Sequence, residues 1–378
     1  MSILRLSVLK DTPYAPAADG SIDLGHYQKR TCRGMMAAQR PPALDGPNSD
    51  LHHYFSRKLP ALTAALPDDG RIVVMVHGFL FDPKMSIAAN PEDTDNPHGR
   101  VYHFQSDAEE AHEQRHHTTS WPHWLGFSGT DAGESGLAVA FGWQSSPGFA
   151  SSLIEKFQNF YARAYDYAEL SAWPLANVLN TLADFFPAHR IDIFCHSLGS
   201  RTVVRALALV AGHGIDSILD RLGQVVVLGG SEYVVEAQLL QRRLIARGFT
   251  DAPTFYNFVS RENDVLDVLG ENFGPRTFGN TQVIGHNGLD IETRASNWID
   301  MQIDRKELQD WMAARGIEIS GDRPGNVWDH WYYYTFRGNM DLYRNIIRDA
   351  NNWDLDLLRG PANEIPEGVA QRWWDFGD

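Results

Sequence analysis

Short apolar runs, each closed by turn-forming residues, recur along the chain. Arg71–Val76 (RIVVMV) stops at His77-Gly78, and Leu137–Phe141 (LAVAF) at Gly142-Trp143. Ile191–Cys195 runs up to His196-Ser197, Val225–Leu228 to Gly229-Gly230, and Phe255–Val259 to Ser260-Arg261. WIDMQID, residues 298–304, reads as a last strand. Such runs suit strands buried on both faces, as in a parallel sheet. Between them the pattern turns helical. Leu175, Val178, Leu179, Leu182 and Phe186 form an i, i+3, i+4, i+7 stripe, and Thr202–Val210 is apolar nearly all round. Alternating strands and helices predict an α/β fold with a doubly wound, mostly parallel sheet, in which function collects at the carboxyl ends of the strands.

Two regions break the alternation. Residues 1–65 are rich in turn formers (DTPYAPAADG, QRPPALDGPNSD) and are expected to be an irregular extension with one or two edge strands. The main domain is expected over 66–345. Within it, residues 81–135 are far longer than one strand-to-strand crossover needs, and are expected to be a lid-like insertion. Residues 346–378 carry Trp353, Trp373, Trp374 and Phe376, read as a seam docking on the domain.

Composition narrows the partners. The chain of 378 residues has 43% hydrophobic content and a net charge of −15, so it can build a large core and repels anions. Nucleic-acid binding needs clustered Lys and Arg, so it is not expected, and neither is docking on anionic membranes. No apolar stretch is long enough for a membrane span. The opening MSILRLSVLKDTPYAPAADG is broken by Arg5, Lys10 and Asp11 and does not read as a signal peptide. With only Cys32 and Cys195, no disulfide framework is expected, and the expected compartment is the cytoplasm. Nothing in the composition sets the oligomeric state.

The chemistry concentrates at Cys195-His196-Ser197-Leu198-Gly199. A strand, then small-x-Ser-x-small, then a helix lifts a serine hydroxyl clear of the sheet on a tight, strained turn. Gly199 supplies one small residue, and Cys195 stands where glycine is usual. The Leu198 N–H then points at a developing oxyanion. Upstream, RIVVMVHGFL places His-Gly at the end of a buried strand, making the Phe79 N–H a second oxyanion donor, with Leu80 the near alternative. A serine nucleophile needs a base, and the base needs an orienting acid. Asp264, a few residues past the FYNFV strand, is the favoured acid, with Glu262, Asp267 and Glu232 as competitors. His330, after the last strand, is favoured as base over His286. His196 cannot curl back onto Ser197 and is expected to pack beside the site.

In chain order, VHGF, FGWQS, CHSLGSR, VSRENDVL and DHWYYY resemble the α/β-hydrolase superfamily, in its lipase-like serine esterase branch, over roughly residues 70–345. The resemblance implies a sheet of α/β-hydrolase type, Ser197 as nucleophile, Asp264 as acid and His330, followed by Tyr333, as base. It implies a small-molecule carboxylic ester as substrate, and no cofactor.

A competing pattern lies in the insertion. HEQRH, residues 112–116, formally matches the helical zinc-binding H-E-x-x-H, with Glu113 as general base and His98, His103, His117 and His123 nearby. Gln114, Arg115 and the polar surroundings favour instead a charged lid helix, packed on the body through Trp121, Trp124, Leu125 and Phe127. No metal is therefore expected. The alternatives to a serine hydrolase are a zinc-dependent hydrolase and a binding protein that has lost turnover.

Overall fold

Apolar side chains that alternate between two faces need cover on both, and that requirement organises the molecule. In the computed structural model, the described residues are 3–8, 22–23, 50–66, 68, 70–86, 95–103, 120–127, 136–146, 155–263, 266, 282–289, 296–321 and 330–359. Eight strands form one sheet: β1 (Ile3–Val8), β2 (Ile22–Asp23), β3 (Arg71–Val76), β4 (Gly136–Trp143), β5 (Ile191–His196), β6 (Leu222–Leu228), β7 (Thr254–Val259) and β8 (Trp298–Gln302). Their spatial order is β2-β1-β4-β3-β5-β6-β7-β8, and every pairing is parallel. The six strands expected from the apolar runs all form. The expected edge strands at the N-terminus form too, although β1 sits inside β2 and pairs with β4 in full register.

Among the described residues, the helices of eight residues or more are α1 (Asp50–Ala65), α2 (Glu155–Phe185), α3 (Gly199–His213), α4 (Val234–Ala246), α5 (Lys306–Ala313) and α6 (Arg337–Arg348). Successive strand residues separate into two cores. Ile72, Val74 and Val76 of β3 join Leu137, Val139 and Ile193 on one face, which α1 to α4 cover with Phe55, Leu179, Leu207 and Leu240. Val73, Met75, Ala138, Phe194 and Phe258 point to the other face, which α5 and α6 cover with Leu308, Met312, Leu342 and Ile346. Full burial of such side chains stabilises the fold by about 1.5–3 kcal/mol each.

Two findings bear on the sequence reading. A sixteen-residue helix, α1, lies within the supposedly irregular first segment, despite Pro60 inside it. In the 81–135 connection, the packing on the body expected of Trp121, Trp124, Leu125 and Phe127 is present, and Val101 and Tyr102 join them in the second core. Among the described residues no helix is long and apolar enough to cross a membrane. Of the C-terminal aromatics, Trp353 packs on the second core, and Trp373, Trp374 and Phe376 lie outside the described residues.

The chain runs outward from β3 to β4, then returns through α2 to place β5 on the opposite side of β3. Such a reversal opens a crevice beyond the strand ends. A buried ion-pair cluster joins α2, α3 and the segment after β6. Arg201 of α3 binds Glu232 at 2.9 and 3.1 Å, pairs with Glu169 of α2, and stacks on Tyr165 at 3.5 Å. Arg205 extends it to Glu169 at 2.6 Å and Glu236 at 2.5 Å. Removing one partner leaves a buried charge unpaired. Arg201→Ala is therefore expected to lower unfolding stability by about 3–5 kcal/mol in urea titration, and a loss below about 1 kcal/mol would contradict the assignment of the cluster as a structural brace.

Candidate active site

Ser197 follows directly on β5 and is held at φ 51°, one of two non-glycine residues with positive φ among those described. A side chain in the left-handed region is strained and persists only where its surroundings fix it. They do so here. Ser197 N–H donates to the Leu228 carbonyl at 2.9 Å, and its own carbonyl accepts from the N–H groups of Ser200 at 3.0 Å and Ser231 at 3.1 Å. A Cβ on Gly199 would sit 2.5 Å from the carbonyl oxygens of both Val76 and His77, so only glycine lets β3 and the turn approach. The same approach brings Gly78 against Ser197, where an added Cβ would meet the serine Cβ at 2.8 Å. Cys195, at the position usually taken by glycine, instead buries its side chain in the core beneath the sheet, and burial pushes its thiol pKa up.

The loop after β3 is held by the end of β4. The Trp143 N–H donates to His77 Nε2 at 2.9 Å, and the indole N–H donates to the His77 carbonyl at 2.8 Å. The ring of His77 stacks on that of Trp143 with an interplanar angle of 5°. Accepting at Nε2 leaves Nδ1 to donate to the Gly78 carbonyl at 2.9 Å, so the ring is neutral with its tautomer fixed. Ser145 adds a clasp: its N–H donates to the Phe81 carbonyl at 2.9 Å, and its hydroxyl accepts from the Phe81 N–H at 2.9 Å. His77 thus has a structural part that the sequence reading did not give it. Among the described residues, the N–H groups of Phe79 and Leu198 have no hydrogen-bond acceptor. Leu80, the alternative donor, is at φ 72° and half exposed.

Ser197 is 5% exposed, and its hydroxyl is 3.2 Å from that of Ser231. Ser231, just past β6, went unnoticed in the sequence; the signal for it is its place after Gly229-Gly230 on the strand beside β5. The Tyr161 ring meets Phe79 edge-on at 5.6 Å, and its hydroxyl is buried without a hydrogen-bond partner.

His330 reaches the same strand end. Its ring lies on that of His196, the residue before the serine, at 4.7 Å between centroids. His196 also meets Trp331 at 5.3 Å and packs beside the site as expected. His330 Nε2 is buried without a hydrogen-bond partner, so it is not bonded to Ser197, whose hydroxyl turns to Ser231. In free enzymes such bonds are often long and tighten only with substrate bound. The Nδ1 side faces Asn263 at 2.7 Å. Asp264, the favoured acid, and its competitor Asp267 lie outside the described residues. Of the other competitors, Glu262 is exposed and offers its backbone carbonyl to Tyr333 O–H at 2.6 Å. Glu232 is engaged with Arg201, Tyr165 O–H and the Tyr233 N–H. His286 lies in the short helix Ile284–Asn287.

HEQRH at 112–116 and His117 lie outside the described residues. Of the other nearby histidines, His98 shares a 2.9 Å hydrogen bond with the Ser7 hydroxyl, and His123 meets the Trp124 ring edge-on at 5.3 Å.

Burial dominates the titration of the three site histidines. It pulls His77 and His330 each down to about 3 and His196 well below its ordinary value. A group whose folded pKa is depressed in this way contributes stability that is fully present above the unfolded value near 6.5 and is lost as pH falls toward about 3. Going from pH 8 to pH 5 should therefore cost about 2 kcal/mol for each of His77 and His330. Urea titration at the two pH values checks the sum, and NMR titration checks the sites. Ring signals of His77 or His330 titrating near pH 6.5 in the folded protein would contradict it.

No family model matches the chain and no curated protein matches its sequence, so geometry alone carries the functional reading.

Proposed function

We propose that the protein is a serine hydrolase of α/β-hydrolase type, cleaving a carboxylic ester through an acyl-enzyme. One observation carries the reading: a serine with positive φ, pinned between a buried strand and the start of α3, beside a histidine delivered after the last strand. A serine that merely capped a helix would need no such backbone. Strain of this kind clusters where a side chain must be presented.

The reaction follows from the placement. Ser197 Oγ attacks the ester carbonyl while His330 Nε2 takes its proton, which requires the hydroxyl to turn from Ser231 to the imidazole. Negative charge builds on the carbonyl oxygen. The N–H groups of Leu198 and Phe79, with the N-terminal end of α3, receive it. The imidazolium then returns the proton to the departing alkoxide, and the alcohol leaves. Water, deprotonated by the same ring, attacks the acyl-enzyme, releases the acid and restores Ser197. The sequence offers Asp264, which lies outside the described residues, to hold the imidazole; the side chain seen at His330 Nδ1 is that of Asn263. No cofactor takes part.

A fluorophosphonate probe tests this without knowledge of the substrate. The expected result is one adduct on the peptide containing Ser197, found by mass spectrometry after digestion and missing in Ser197→Ala. That variant should also lose roughly 10³-fold or more of any ester turnover. A folded wild-type protein that forms no adduct at Ser197 would sink the proposal.

A further inference from the structure

The part of a triad that fixes the base is played at its Nδ1 atom. There the described structure presents a carboxamide. Asn263 is fully buried, and its side-chain Nδ2 lies 2.7 Å from His330 Nδ1 and donates to the Tyr334 hydroxyl at 3.1 Å. Both contacts come from one segment, because His330 and Tyr334 flank Tyr333, whose hydroxyl donates to the Glu262 carbonyl at 2.6 Å. Three hydrogen bonds thus bind the loop after β7 to the turn that carries the base.

We infer that Asn263 is the positioning residue for His330: its carboxamide oxygen accepts the Nδ1 proton, leaving Nε2 as the acceptor that faces the nucleophile. This rests on the serine chemistry proposed above. The two ends of a carboxamide have the same shape and are told apart by their hydrogen bonds. With Nδ2 toward the ring, Nδ1 must accept, the ring proton moves to Nε2, and the ring cannot take a proton from Ser197. The structure places Nδ2 on the ring side, with Oδ1 buried without a partner. Turning the amide exchanges that orphaned Oδ1 for an orphaned Nδ2 and leaves His330 Nε2 as it is, so the choice between the two ends rests on what the base must do. With Oδ1 toward the ring, its two lone pairs accept from Nδ1–H and from the Tyr334 O–H together. Nε2 then carries the free lone pair that a base needs.

An amide orients the ring as a carboxylate does, but it adds no charge beside the imidazolium. The base stays neutral to low pH, at the cost of weaker stabilisation of its charged form. Asn263→Asp keeps the size of the side chain and adds that charge. An opposite charge at this distance typically raises a histidine pKa by about one to three units.

The experiment uses the full chain with ¹⁵N-labelled histidine, and His330→Asn to assign the signal. In wild-type protein at pH 7, long-range ¹H–¹⁵N spectra should show His330 as the Nδ1–H tautomer. Asn263→Ala should lose that tautomer and react with the fluorophosphonate roughly 10²–10⁴-fold more slowly, as expected for a base in the wrong tautomer. Asn263→Asp should keep the tautomer, restore the labelling rate, and move the acidic limb of its pH profile upward by about one to three units. If Asn263→Ala does not fold, Asn263→Asp carries the test. An Nε2–H tautomer in the folded wild type overturns the inference, as does an Nδ1–H signal that survives Asn263→Ala but vanishes in Asp264→Asn. The spectra judge Asn263 even if Ser197 proves unreactive, so failure of the serine reading is separately visible.

Discussion

The site depends on one close approach, between the end of β3 and the turn after β5. The carbonyl oxygens of Val76 and His77 lie where a Cβ on Gly199 would be, and Gly78 lies against the Ser197 side chain. Two adjacent parallel strands bring these points together in register, with Val76 opposite Cys195. The strain at Ser197 and the placement of the Phe79 and Leu198 N–H groups both follow from it. The His77–Trp143 lock and the Ser145 clasp hold the β3 side of the contact. The hydrogen bonds to Leu228 and Ser231 hold the β5 side. Neither half fixes the serine alone.

Polar groups around this contact are handled in two ways. The histidines are stripped of water and kept neutral, stacked on aromatic rings or hydrogen-bonded to backbone. The carboxylates of Glu232 and Glu169 stay beside Arg201 and Arg205 in a braced cluster under α3. This separation keeps the structural charge network apart from Ser197 and His330. It also explains why Glu232, which stood in the right part of the sequence to be an acid, serves the scaffold.

The sheet was legible in the sequence because strands buried on both faces announce themselves as branched apolar runs. RIVVMV and IDIFC needed no tertiary information. The tight turn at Ser197 was legible for a related reason: small residues must flank a strained serine, and that leaves a short pattern. What escaped were parts whose meaning depends on a partner far along the chain. His77 reads as a turn residue until Trp143 is seen across the sheet. Asn263 reads as a loop residue beside a more conspicuous aspartate until the ring of His330 is seen against it. Helix α1 was hidden by Pro60 and by a neighbourhood of turn formers; its burial against α2, through Phe55 with Phe185, supplies what local propensity does not.

A crystal structure of the phosphonylated protein tests the central claim, that the β3–β5 contact presents Ser197 to an oxyanion site beside His330. The account predicts phosphorus bonded to Ser197 Oγ, with the phosphoryl oxygen accepting from the N–H groups of Leu198 and Phe79. It also predicts His330 Nε2 within hydrogen-bonding distance of the adduct. A phosphoryl oxygen turned away from both N–H groups, or a His330 ring out of reach of the adduct, would contradict it.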